Sequence, residues 1–157
     1  MWPPEDVTNA LIGLRRQNQP TIRYVAPENW HITLRFLGDA DIAHAVEALR
    51  STTLPSARAH LGPAVEVIGG RALVVPVAGL DNLARRVADS TSDIGDPPGK
   101  TFRGHITLAR IKSNVPRPDL VGAPVNAEFD VATIALVQSY LGPQGARYAT
   151  VASWPVG

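Results

Sequence analysis

Two stretches of this chain read the same: His31-Ile32-Thr33-Leu34 and His105-Ile106-Thr107-Leu108, 74 residues apart. Four histidines make six pairs. The chance that one pair shares its next three residues is roughly one in 500 at ordinary composition. Side chains two apart on a strand share a face. His31, Thr33 and Arg35 would therefore project together, with Ile32, Leu34 and Phe36 packed behind them. In the second copy Arg103, His105 and Thr107 share a face, and Ile106 and Leu108 form the apolar side. If both faces line one cleft, it holds two imidazoles, two hydroxyls and at least one guanidinium. Such a set suits in-line displacement at phosphorus. One neutral imidazole takes a proton from the attacking oxygen while a protonated one gives a proton to the leaving oxygen. Imidazole titrates near neutrality, so both states are accessible together. Threonine hydroxyls and arginine can hold the non-bridging oxygens as charge shifts. This chemistry calls for no metal.

The surrounding sequence predicts elements able to carry these strands. Pro3 and Pro4 start a helix with Val7, Leu11 and Leu14 on one face and Arg15 and Arg16 near its end. Thr21 to Val25 alternates as a strand that stops at Pro27, and Trp30 to Leu37 forms a second, closed by Gly38-Asp39. Asp41 caps a helix carrying Ile42, Val46 and Leu49. Strands near Val65–Ile68 and Arg71–Val77 are joined by the hairpin signal Gly69-Gly70, with Pro76 marking an end or edge. A helix with Leu83 and Val87 follows, then the loop Asp96-Pro97-Pro98-Gly99. Phe102 to Ile111 is a strand, Ser113 to Pro124 an irregular connection, and Phe129–Tyr140 and Tyr148–Trp154 the last two strands. Helices and strands mix without strict alternation, so the class is α+β.

Composition bounds the function. The 157 residues fit a single domain, 45% hydrophobic and 18% charged, which excludes wholesale disorder. Cysteine is absent, excluding thiolate chemistry, disulfides and cysteine-based zinc sites. A net charge of +1 argues against gripping nucleic acid along its length. The apolar run Ala72 to Leu80 is too short to cross a bilayer, and the amino end lacks a signal-peptide pattern, so a cytoplasmic protein is expected.

The two His-x-Thr motifs resemble those of the 2H phosphoesterase superfamily, and within it the bacterial 2′-5′ RNA ligase and RNA 2′,3′-cyclic phosphodiesterase branch. Pro27 through His31-Ile32-Thr33-Leu34-Arg35-Phe36-Leu37-Gly38 is similar to the first family motif with its flanks, and Phe102 through Arg110 to the second. Ile134 to Leu141, then Gly145, Tyr148 and Trp154-Pro155, resemble the last two strands. The resemblance implies one bilobal, pseudo-two-fold domain over residues 1–157, with two antiparallel sheets flanking a central cleft and helices outside. It implies hydrolysis of RNA 2′,3′-cyclic phosphate ends to 2′-phosphomonoesters without a cofactor. It also implies a monomer with no obligatory protein partner, and possible reverse ligation through a 2′-5′ bond. His31 would be the proton donor to the leaving 3′-oxygen, His105 the base that activates water, and Thr33 and Thr107 the phosphate ligands. Near-symmetry gives no physical reason for that choice of acid and base. Two departures stand out. Only Met1-Trp2 stands where a strand usually precedes the first helix, so that strand is truncated or the native start lies upstream, and a missing strand would leave a sheet edge exposed. Gly104 replaces a common proline, loosening the backbone before His105.

Other residues have plainer expected roles. Arg35 and Arg103 are weighed between phosphate binding and surface ion pairs, and Arg110 falls on the opposite parity. Tyr24 and Phe102 are expected to pack, and His44 on a helix and His60 in a loop to be solvated or to cap. Ser139 offers a hydroxyl but no nucleophile. Two other functions remain open: a phosphodiesterase for another small 2′-5′-linked or cyclic nucleotide, and an RNA-end or nucleotide-binding module in which catalysis has lapsed.

Overall fold

A computed structural model describes residues 1–14, 20–99, 101–112, 118–143 and 145–157. Arg15, Arg16 and the Ser113–Arg117 part of the irregular connection lie outside the described residues. The fold is α+β. Its elements are α1 (Glu5–Ile12), β1 (Ile22–Tyr24), α2 (Ile42–Arg50), β2 (Arg58–Leu61), β3 (Glu66–Ile68), β4 (Ala72–Ala78), α3 (Asp81–Ser90), β5 (His105–Ile111), β6 (Ala127–Asp130), β7 (Thr133–Gly142) and β8 (Gly145–Pro155). The main sheet runs β1-β5-β4-β2-β6 with β3 also on β4, and β7 and β8 form a separate antiparallel hairpin.

Local signals account for most elements. Pro4 stands at the α1 N-cap and Val7 and Leu11 are buried. Asp41 caps α2 through the His44 N–H at 2.8 Å. Gly69 and Gly70, at φ 57° and 67°, make the turn between β3 and β4 that L-residues with side chains rarely adopt. Strand β4 is the spine: Ala72, Leu73, Val74 and Val75 are all buried between neighbouring strands.

Four expectations are corrected. Pro76 is no strand end, for it pairs with His105 within β4, where the Val77 N–H carries the ladder by donating to the Gly104 carbonyl at 2.8 Å. His60 lies on β2, not in a loop, 3.2 Å from Glu128. The predicted strand from Phe129 is two strands, β6 and β7, broken at Val131, whose N–H turns to the Ala57 carbonyl at 2.9 Å. Finally, Trp30 to Leu37 is not a strand. The 3-10 turn Pro27–Asn29 leads into an extended segment that meets the sheet only at Ile32, and Arg35 and Leu37 draw it away toward the end of α3. No helix among the described residues is long and apolar enough to cross a membrane.

Candidate active site

Ile32 forms an isolated antiparallel bridge with Ile106. Antiparallel register then sets His31 opposite Thr107 and Thr33 opposite His105. Ile32 and Ile106 are both fully buried, whereas His31, Thr33, His105 and Thr107 all keep some exposure. The four chemistry-bearing side chains therefore share the face opposite the core, related about the Ile32–Ile106 pair. A single backbone pairing brings together groups 74 residues apart in the chain.

The other edge of Ile32 is not open. Its N–H donates to the Met1 carbonyl at 2.8 Å, and the Met1 amino group donates to the Ile32 carbonyl at 3.0 Å. Met1 thus covers at this point the edge that the short amino-terminal segment was expected to expose.

Both imidazoles are oriented alike. His31 Nδ1 lies 2.8 Å from the Asn29 carbonyl, and His105 Nδ1 2.7 Å from the Arg103 carbonyl. A carbonyl only accepts, so Nδ1 carries the hydrogen in each ring and Nε2 is left for a substrate. Their surroundings differ. His31 is boxed edgewise by Tyr148 at 4.6 Å and Trp2 at 5.6 Å between ring centroids. Burial in this box pushes the His31 imidazole below the ordinary histidine range, against the pull of its bond to Asn29. The positive charges of His105 and Arg110 lower it further. Trp2 and Tyr148 were missed from sequence. Tyr148 comes from β8, whose placement over His31 leaves no local signal.

The arginines do not fall as parity suggests. Arg35 leaves the His31–Thr33 face altogether. Its Nη1 donates to the Ala88 carbonyl at 2.9 Å and to Thr91 Oγ1 at 2.8 Å, and its Nη2 to the Ile94 and Asp96 carbonyls at 3.1 and 2.9 Å. These carbonyls belong to the end of α3 and the loop after it, where unpaired acceptors concentrate. The bonds anchor the unpaired segment carrying Thr33. The variant Arg35→Met keeps the aliphatic stem but removes every donor. It should cost about 2–3 kcal/mol, and thermal unfolding should show Tm lower by about 5–10 °C. Arg103 donates from Nη2 to Glu66 Oε1 at 2.6 Å, so its charge is compensated.

Arg110 moves the other way. Thr107 pairs with Val74 but Ala109 pairs with Leu73, so Leu108 is an extra residue in β5. This bulge slips the parity. Arg110 pairs with Ala72, two residues from Val74, and so returns to the face of Thr107. The burial pattern shows the slip: Leu108 and Ala109 are both buried and Arg110 is exposed. Phe36 is likewise not packed behind the motif but 71% exposed. Tyr24 and Phe102 pack against the core as expected. Gly104 is buried, and a Cβ there would strike the Val77 carbonyl oxygen. Close packing on β4, not looseness, is what a glycine at this position permits.

Residues 1–61 match the model of a family described as LigT like Phosphoesterase. An RNA 2′,3′-cyclic phosphodiesterase of Aquifex aeolicus is 32% identical over 154 residues, covering 86% of this chain and 82% of that protein. One of Aeropyrum pernix is 31% identical, covering 83% and 84%. A solved structure from Thermus thermophilus superposes with a TM-score of 0.85 at 26% identity, covering 99% of this chain and 94% of that one.

Proposed function

From the premise that this chain belongs to the LigT-like branch of the 2H phosphoesterases, we propose that it hydrolyses RNA 2′,3′-cyclic phosphate ends to 2′-phosphomonoesters. The observation that carries the proposal is the Ile32–Ile106 bridge, which sets two His–Thr pairs face to face. Water attacks the cyclic phosphorus, and His105 Nε2 takes its proton. The bond from phosphorus to the 3′-oxygen breaks, and His31 Nε2–H protonates that oxygen. Thr33 and Thr107 donate hydrogen bonds to the non-bridging oxygens, and the uncompensated guanidinium of Arg110 stabilises their growing charge. A lowered pKa makes His31 the stronger donor to a leaving alkoxide, at the cost of a smaller protonated fraction at neutral pH. A ribose 5′-hydroxyl in place of water would yield a 2′-5′ linkage by the same proton transfers, without ATP.

The test is incubation with a 2′,3′-cyclic nucleotide and with cyclic-phosphate-ended RNA in excess EDTA, products followed by phosphorus NMR. Turnover to a 2′-phosphomonoester supports the proposal. Binding without turnover points to a nucleotide-binding module instead. The pH dependence of kcat/KM should be bell-shaped, because one imidazole acts charged and the other neutral. Burial lowers the pKa of His31, so the lower of the bell's two apparent pKa values should lie below the ordinary histidine value of about 6.5. Removing the cover with Tyr148→Ala raises the pKa of His31 and should move that lower value up toward it. A profile flat between about pH 5 and 8 would sink the paired-histidine mechanism.

A further inference from the structure

The outer face of β5 continues past the catalytic pair as a line of positive charge. Arg110 stands directly opposite Arg23 of β1. The ladder runs one residue further, where the Lys112 N–H donates to the Thr21 carbonyl at 3.0 Å, so Lys112 shares the face of Arg110. Arg23, Arg110 and Lys112 are all exposed, while Ile22 and Ile111 between them are buried. Among the described residues no carboxylate pairs with any of the three. Arg35, Arg58 and Arg103 all have acceptors. Like charges directly opposite on neighbouring strands repel, and a chain of net charge +1 has no general excess to explain the cluster. An anion held between them would relieve the repulsion. Strands rise about 3.3–3.4 Å per residue, which sets Lys112 about 7 Å beyond Arg110 in the direction leading away from Thr107.

We infer that Arg23 and Lys112, continuing from Arg110, form a track for the phosphodiester groups just upstream of the RNA end that occupies the His–Thr site. The inference rests on the reaction proposed above and adds its substrate class: oligomeric RNA in preference to a cyclic mononucleotide. Arg110 serves the terminal phosphate in both substrates, whereas Arg23 and Lys112 meet only the oligomer.

The experiment compares kcat/KM for a short RNA oligomer ending in a cyclic phosphate with that for a 2′,3′-cyclic mononucleotide, in the parent protein and in the double variant Arg23→Gln/Lys112→Gln. Each phosphate neutralised on a single strand adds about 0.7 to the salt slope, so the parent's preference for the oligomer should fall about sevenfold between about 50 and 200 mM salt. The double variant should lose that preference and its salt dependence while treating the mononucleotide as the parent does. The charge-keeping variant Arg23→Lys/Lys112→Arg should retain both. A double variant that keeps the parent's oligomer preference and salt slope overturns the track. If the parent turns over neither substrate, the reaction proposed above fails. Fluorescence anisotropy with a labelled oligomer ending in a 2′-phosphate then still decides the track, since weaker binding by the double variant supports it and equal binding overturns it.

Discussion

Replacing either His31 or His105 with alanine should lower kcat/KM for a 2′,3′-cyclic nucleotide by about 10²- to 10⁴-fold, the usual contribution of a positioned acid or base. The two losses should not add, because either imidazole alone leaves the proton inventory incomplete. The double variant should therefore be little slower than the worse single variant. An activated substrate separates the roles. A p-nitrophenyl phosphodiester expels an oxygen that needs no proton, so His31→Ala should recover most of its activity on it, while His105→Ala should stay slow. The opposite pattern would reverse the assignment of acid and base. His105→Ala should lose little stability, since its ring lies on the face away from the core and its Nδ1 bonds only a local carbonyl, whereas His31→Ala also gives up edgewise contacts with Trp2 and Tyr148.

Arg110→Gln should cost about 10²- to 10³-fold in kcat, as expected for removing a donor that acts on charge developing in the transition state. Arg110→Lys should restore only part of it, because an ammonium cannot match the planar two-pronged contact of a guanidinium. The thermal stability of Arg110→Gln should not fall, because the change relieves repulsion from the facing Arg23. Activity lost without a drop in Tm distinguishes a group that meets substrate from one that holds the fold. Arg35→Met should show the reverse emphasis, with Tm falling first. Measuring both variants side by side tests whether the bulge at Leu108 or simple alternation decides which arginine faces the phosphate.

The contrast between these two arginines marks how far the sequence could be read. Alternation placed Arg35 on the reactive face and Arg110 off it, and the structure exchanges them. Period-two reasoning holds only while a strand stays paired and unbulged. The segment after Ile32 leaves the sheet, so Arg35 is free to follow the carbonyls at the end of α3. Leu108 adds a residue to β5, so every side chain beyond it changes face. The same limit explains Phe36, expected behind the motif but found exposed. Tyr148 and Trp2 gave no sign in sequence because only the docking of distant segments brings them to His31.

The amino-acid sequence by itself determined the helices, the Gly69-Gly70 turn, the α+β class and the paired His-x-Thr motifs. Each of these depends on short-range rules: helical spacing, capping oxygens, glycine's access to positive φ, and a motif repeated within one chain. Only the tertiary structure decided the antiparallel bridge that sets His31 opposite Thr107, the box that lowers the pKa of one histidine, and which arginine shares the face of the His–Thr pairs. Those are settled by register, by a one-residue bulge and by contacts between segments far apart in sequence. Their free energies belong to pairs of segments, so neither segment's sequence encodes them alone.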